Sequence, residues 1–275
     1  MKGFRAIGGR IGLSYLVSIL FLFSINCSRL PKEHIKVVAT TSLIGTIVEV
    51  IGRERVDLVT IVPAGMCPGH FDVKPVDIEN LSDADLLLNQ GFEGWVKSLI
   101  NASENKGLRV ETIALEEDWM VPEIHKMAAE EITQELCKID AQNRNFYEGN
   151  LSSYIKSVDA TSLKIRKTTQ NLRGTKVVCA EYQKAFLNWL GFKIITTYGR
   201  PEELTPKRMI EIIRMAKSED VKLVVDNLQS GKDAGRTIAE EVGAAHIVLT
   251  DFPLGDSYIT SLNENIDKII EAINE

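Results

Sequence analysis

The period of the hydrophobic pattern switches repeatedly along the chain. Short apolar runs occur at 35–40 (Ile-Lys-Val-Val-Ala-Thr, rich in β-branched residues), 56–62, 84–89 and 109–115, each closed by polar residues, proline or glycine. Such runs predict four strands. Between the first two, Leu43, Ile44, Ile47, Val48 and Ile51 recur at helical spacing and predict a helix over 43–54. The plan then repeats. Strands are expected at 176–179, 193–198, 221–226 and 246–251, with helices at 183–190, 206–217, 234–242 and 262–273. Apolar strands alternating with amphipathic helices predict an α/β fold whose mainly parallel sheets are covered on both faces.

Between the two series, residues 140–172 carry no strand pattern. Phe146, Tyr147, Leu151, Tyr154, Ile155 and Val158 are spaced for one helical face, and no Pro or Gly interrupts the run after Gly149. This predicts one backbone helix of about 30 residues, near 45 Å long at about 1.5 Å per residue. The expected organisation is an N-terminal α/β lobe over 33–139, the linking helix over 140–172, a C-terminal α/β lobe over 173–275, and a ligand cleft between the lobes. In open α/β sheets ligands bind beyond the carboxyl ends of the strands.

Residues 1–27 stand apart. Lys2, Arg5 and Arg10 precede an almost wholly apolar stretch, Ile11 to Ile25. That stretch is about 15 residues, whereas a spanning helix needs about 20, so it reads as an export signal. Cys27, in Phe23-Ser-Ile-Asn-Cys27, resembles the lipidated cysteine of a bacterial lipobox. The expected protein is exported and held at the membrane by its lipid.

Composition narrows the field. A chain of 275 residues, 44% hydrophobic and 25% charged with formal net charge −6, is an ordinary globular chain. It lacks the basic balance of a protein that grips nucleic acid.

Candidate chemistry gathers where the strands end. After the second strand comes Val62-Pro-Ala-Gly-Met-Cys67-Pro-Gly-His70-Phe-Asp72, which presents Cys and His together; both are metal ligands, and Asp can be one. In the second series Glu181 follows one strand, Asp226 with Asn227 follows another, and Asp251 follows the last. Three acids aimed into one cleft, facing a His/Cys loop, would make a cation site.

These residues carry a resemblance. Val37-Val-Ala-Thr-Thr-Ser42, Val62-Pro63 with Gly65, Pro75 with Asp77, Leu81-Ser-Asp-Ala-Asp-Leu86, Gly91-Phe-Glu-Gly-Trp95 and Leu249-Thr-Asp-Phe-Pro-Leu-Gly255 occur in the order seen in cluster A-I solute-binding proteins of ABC transporters, the zinc- and manganese-type group. The resemblance covers nearly all of 35–275. It implies two α/β lobes bridged by a rigid helix, a divalent zinc, manganese or iron ion as transported ligand, no organic cofactor, delivery to an ABC permease in the membrane, and a monomer. The family's Asp-Pro-His loop reads Cys67-Pro-Gly-His70 here, so His70 is displaced by one position. The family's second His, just before a Trp, is missing from Leu115-Glu-Glu-Asp-Trp119. His125 lies beyond it, on the following helix. Glu181 and Asp251 match the remaining two ligands. The implied set is therefore His70, Glu181 and Asp251, with Cys67 as a further ligand, and Asp226, Asn227, Arg200 and Trp119 supporting the ligands or lining the pocket.

Other readings stay open from the residues alone. Cys67 is a thiolate ligand, a disulfide partner of Cys179, or a free thiol. The altered loop also fits a metal chelate or small organic ligand, with Trp95, Trp119, Tyr182 and Tyr198 as pocket walls. A metal-dependent hydrolase fits a three-ligand site, but no HExxH, GxSxG or phosphate loop is present. His34 is expected to be exposed, His246 structural and Cys137 buried.

Overall fold

The computed structural model describes residues 34–255 and 257–274. The leader and Cys27 lie outside them. Strands β1 (Ile35–Ala39), β2 (Val56–Thr60), β3 (Leu86–Asn89) and β4 (Arg109–Thr112) form a parallel sheet in the order β2-β1-β3-β4. Strands β5 (Lys176–Ala180), β6 (Lys193–Tyr198), β7 (Leu223–Asn227) and β8 (Ala245–Leu249) form a second parallel sheet in the equivalent order, β6-β5-β7-β8. The eight expected strands are all present. Of the central strands, β3 and β7 are buried along their whole length and β1 and β5 at all but one position, as strands covered on both faces require. The order reverses between β1 and β3, and again between β5 and β7. Both lobes therefore open their binding crevices at the carboxyl ends of the same pair of central strands.

Helix α1 (Ser42–Gly52) covers the first sheet. Helices α2 (Pro75–Ser82) and α3 (Val96–Ser103) were not legible as separate periodic runs; at eight residues each they show little more than two turns of pattern. Helix α4 (Pro122–Ile139) is followed by α5 (Arg144–Thr168). The expected helix over 140–172 is thus shorter, 25 residues, with a single 3-10 turn at either end. The break has a local cause. Asp140 accepts hydrogen bonds from Asn143 Nδ2 at 2.7 Å and Tyr147 Oη at 2.6 Å, which holds the α4–α5 turn.

The second lobe adds α6 (Lys184–Leu190), α7 (Pro206–Ser218), α8 (Arg236–Val242) and α9 (Tyr258–Asn274). Helix α6 stops at Gly191, whose φ of +89° is the left-handed cap geometry glycine adopts without strain. Thr205 Oγ1 accepts from Arg208 N at 3.2 Å and starts α7 ahead of Pro206. Along α5, Tyr147, Tyr154, Val158 and Ile165 are buried in one hydrophobic cluster that also holds Ile44 and Leu88 of the first lobe and Val177, Val225 and Leu262 of the second. The long helix is therefore packed into a core shared by both lobes. Among the described residues no helix is long and apolar enough to cross a membrane.

Candidate metal-binding cleft

The carboxyl ends of both sheets face a cavity of about 600 Å³. Its lining includes Cys67, Gln90 and Asp118 from the first lobe and Glu181, Arg200, Asn227, Gln229 and Asp251 from the second.

The first-lobe rim is the loop after β2. It is pinned by Trp95, whose Nε1 donates to Pro68 O at 2.8 Å and whose ring lies 5.3 Å from that of Phe71. The pinning places Cys67 Sγ 3.6 Å from His70 Nδ1. Arg200 comes across from the end of β6 to meet both. Its Nη1 lies 2.7 Å from His70 Nδ1 and its Nη2 lies 3.5 Å from Cys67 Sγ. Arg200 therefore lines the pocket, as expected, and it meets His70 and Cys67 rather than Glu181 or Asp251. A guanidinium can only donate, so His70 Nδ1 accepts, and the lone pair a metal would use there is engaged.

The floor is built differently. Asp251, just beyond β8, accepts from Gln183 Nε2 on one oxygen and from Asn227 Nδ2 at 2.5 Å on the other. Gln229 Oε1 accepts from the Asp251 amide at 3.2 Å. Asn227 is therefore a support for Asp251, as expected. Asp118, in the loop after β4, accepts from Met120 N at 2.8 Å through Oδ1. Its other oxygen, Oδ2, is shielded from solvent and has no hydrogen-bond partner. Burial raises the Asp118 carboxyl to about 7, against the smaller opposing effect of the Met120 and Phe186 amides. Asp251 is pushed well above the usual carboxylate range, first by burial and then by the charge of Asp118.

The remaining candidates divide between the cavity wall and positions outside it. Glu181 is exposed at the rim, where its Oε2 accepts from Thr197 Oγ1 and its Oε1 from Lys184 Nζ at 3.3 Å. Thr197 is the main reason its carboxyl sits below the ordinary value. Asp226 does not face the cleft, which corrects the reading of three converging acids. It is fully buried behind β7 and accepts from Tyr198 Oη at 2.7 Å, His246 Nε2 at 2.7 Å and Gly235 N at 2.9 Å. Tyr198 belongs to that cluster rather than to the pocket, and His246 is structural as expected. Trp119 is 2% exposed and lines the cavity, as expected, with its Nε1 donating to Leu115 O at 3.3 Å. Cys67, Cys137 and Cys179 are free thiols, so the Cys67–Cys179 disulfide is not formed; Cys179 is buried within β5. His125 is not a ligand of the cleft. It is buried, 2.7 Å from Tyr154 Oη and stacked 3.5 Å from the Tyr258 ring. His34 is exposed and Cys137 buried, as the sequence suggested. Among the described residues no three His, Cys, Asp or Glu side chains stand close enough together to hold a metal ion. Sequence reasoning passed over Asp118 and Gln183. The signal for Asp118 was its place directly before Trp119; Gln183 offered none.

The fold and this cleft have relatives. The family model described as zinc-uptake complex component A, periplasmic (ZnuA), matches residues 37–272. The chain belongs to this family. A metal ABC transporter substrate-binding lipoprotein of Lactococcus lactis is 24% identical over 303 residues, covering 95% of this chain and 96% of the relative. A manganese ABC transporter substrate-binding lipoprotein, PsaA of Streptococcus anginosus, is 28% identical over 282 residues, covering 88% and 90%. Among solved structures, ZnuA superposes with a TM-score of 0.76 at 22% identity, covering 87% of this chain and 99% of that one. The Mn-bound periplasmic metal-binding protein of Candidatus Liberibacter asiaticus gives 0.74 at 21% identity, with the same coverage. Both lipoprotein relatives carry the name of substrate-binding components of ABC transporters.

Proposed function

We propose that this chain captures a divalent metal ion between its two lobes and delivers it to a membrane permease, acting as a non-enzymatic, exported protein anchored through Cys27. One observation carries the reading: Asp251, at the carboxyl end of β8, stands on the cleft floor within the electrostatic reach of a second buried carboxylate, Asp118. A buried pair of acids is costly unless a proton or a cation neutralises it. Zinc, manganese and iron are the ions to consider, with His70, Glu181, Asp251 and Cys67 as candidate ligands. The relatives, named for manganese and iron transport, support the same class of cargo.

Loading calls for rearrangement at the rim. Arg200 must withdraw from His70 before that imidazole can bind an ion, and Glu181 must leave Thr197. Helix α5, packed along its length into the shared core, limits how far the lobes separate. The test is native mass spectrometry with elemental analysis of the full chain, beside His70→Ala and Asp251→Ala. One divalent ion held by the wild type and lost with Asp251→Ala is expected. A chain that stays metal-free through titration with Zn²⁺, Mn²⁺ and Fe²⁺ would overturn the reading.

The cavity itself favours one second reading, a metal chelate or small organic anion. About 600 Å³ is far more than a bare ion fills, and Arg200, Tyr182 and Phe252 line it. A guanidinium suits a carboxylate. Uptake of a metal–carboxylate complex by a chain that refuses the free ion would favour this alternative.

A further inference from the structure

Helix α5 has two unlike faces. Tyr147, Tyr154, Val158 and Ile165 are buried in the shared core. On the opposite side Lys156, Ala160, Leu163 and Lys167 recur three and four residues apart, with Ser152, Ser153 and Lys164 beside them, all exposed. Leu163, at 70%, is the most exposed large hydrophobic side chain among the described residues. The ion pairs of α5 are Arg144–Glu148, Lys126–Asp159 and Arg166–Glu123, and among the described residues none reaches Lys156, Lys164 or Lys167. In a chain of formal net charge −6, an unneutralised basic stripe runs against the average.

Helix stability accounts for only part of it. Cations in the last turn, such as Lys167, complement the helix dipole. Lys156 lies about three turns earlier, beyond the reach of that effect, and Leu163 has no charge to offer. Ser153 and Ser157 turn their hydroxyls onto carbonyls of their own helix, Gly149 O and Ser153 O, each at 3.1 Å. The stripe therefore presents free cations and one leucine over short side chains. Such a face suits an anionic lipid surface.

The ends of α5 put this face on one side of the protein. Asn150 Nδ2 donates to Ile51 O at 2.9 Å, at the foot of α1. The chain then enters β2 at Val56, whose register partner is Ile35 at the start of β1. At its other end α5 runs through a 3-10 turn into the start of β5. Both ends thus lie by the amino ends of the sheets, while the cavity lies at the carboxyl ends. Cys27 precedes Ile35 by eight positions, a span of at most about 29 Å. A lipid on Cys27 keeps the amino-end side within that distance of the bilayer.

Resting on the reading that Cys27 carries a lipid anchor, we propose that the face of α5 bearing Lys156, Leu163, Lys164 and Lys167 is a membrane-docking surface that rests on anionic phospholipid headgroups. Charge and reach fix the partner: cations without partners meet a negative surface that the anchor brings alongside. Docked in this way, the cleft opens away from the bilayer, towards the solution that supplies its cargo.

The test uses the full chain extracted from its host membranes in mild detergent and added to preformed vesicles. One set is phosphatidylcholine alone, the other an equal mixture with phosphatidylglycerol. Exposed lysines are labelled with a water-soluble amine-reactive ester and read by peptide mass spectrometry. On the anionic vesicles, labelling of Lys156, Lys164 and Lys167 should fall by roughly fivefold or more. Exposed Lys97 of α3 and Lys207 of α7, which cover the other faces of the sheets, should label equally on both sets. Protection should vanish when salt is raised to about 1 M, where the screening length is about 3 Å. Equal labelling of the three lysines on both sets, with the chain anchored to each, would overturn the docking face and leave the anchor standing. Protection by soluble polyphosphate but not by anionic vesicles would assign the face to another polyanion and overturn the membrane as its partner. A chain that stays in solution beside both sets removes the anchor, and this proposal with it.

Discussion

Asp226 is the next-to-last residue of β7 and Asp251 follows β8, the neighbouring strand, yet the two carboxylates keep different company. Asp226 faces three donors: the Tyr198 hydroxyl, the His246 imidazole and the Gly235 amide. The backbone closes so tightly there that a Cβ on Gly235 would lie 2.3 Å from Tyr198 Oη. Asp251 has two donors, Gln183 and Asn227, and beyond them stand the acceptor oxygens of Gln183 and Asp118 with nothing to accept. A balanced cluster is architecture. An acceptor surplus in a cleft is a place for a cation. Donor counting separates the two where residue type alone does not.

The sharpest way to break the contrast is Asp226→Ala. It strips a buried hub of its acceptor and should destabilise the fold by about 3–5 kcal/mol in urea unfolding, with metal stoichiometry per folded molecule unchanged. A loss under about 1 kcal/mol would mean the hub is not structural.

Next in size is a pH effect. Burial holds the His125 imidazole down to about 3, from an ordinary value of 6.5. Below pH 6.5 the unfolded chain takes up this proton and the folded one does not. Stability should therefore fall as pH drops from 6.5 towards 3, by on the order of 4 kcal/mol for this group. The variant His125→Phe should show a shallower fall of Tm across that range; equal slopes would contradict the assignment.

Asp118→Asn is expected to act in the opposite sense. The folded Asp118 carboxyl is raised to about 7, so its contribution is lost as pH rises from 3.8 towards 7. The neutral amide should stabilise the metal-free protein by about 1–3 kcal/mol at pH 7 and by little at pH 3.8. Differential scanning in the presence of chelator tests this, and Mn²⁺ should then stabilise the wild type more than the variant.

The smallest expected effect is Arg200→Gln. If the ion sits on the floor, removing a cation at the rim should raise Mn²⁺ affinity by less than about tenfold. A larger gain, with preference moving to Zn²⁺, would bring His70 and Cys67 into the ligand set.

Much of the fold could be read from periodicity. All eight strands stand out because short apolar runs, most of them β-branched, are bounded by polar, proline or glycine residues, and the repeated strand–helix plan led to two parallel sheets. The short helices α2 and α3 were hidden because eight residues carry little more than two turns of pattern. Asp140 shortened the long helix by pairing with Asn143 and Tyr147, a local contact that no hydrophobic period records.

The site was less legible. Asp251 and Asn227 were recognisable from their place after strands, and the cleft does bring them together. Asp226 had the same credentials and turned the other way, because His246 and Tyr198 stand behind β7 to receive it.

The sequence by itself determined the eight strands, the longer helices, the parallel arrangement and the family, since these follow from the spacing of residues along one chain. Only the tertiary structure decided which acids share a cavity, that Arg200 occupies His70, and that Asp118 and Gln183 are left with unpaired oxygens. Those outcomes depend on contacts between residues far apart in the chain, 130 positions in the case of His70 and Arg200. Their charge and hydrogen-bond balance exists only once the two sheets are set against each other.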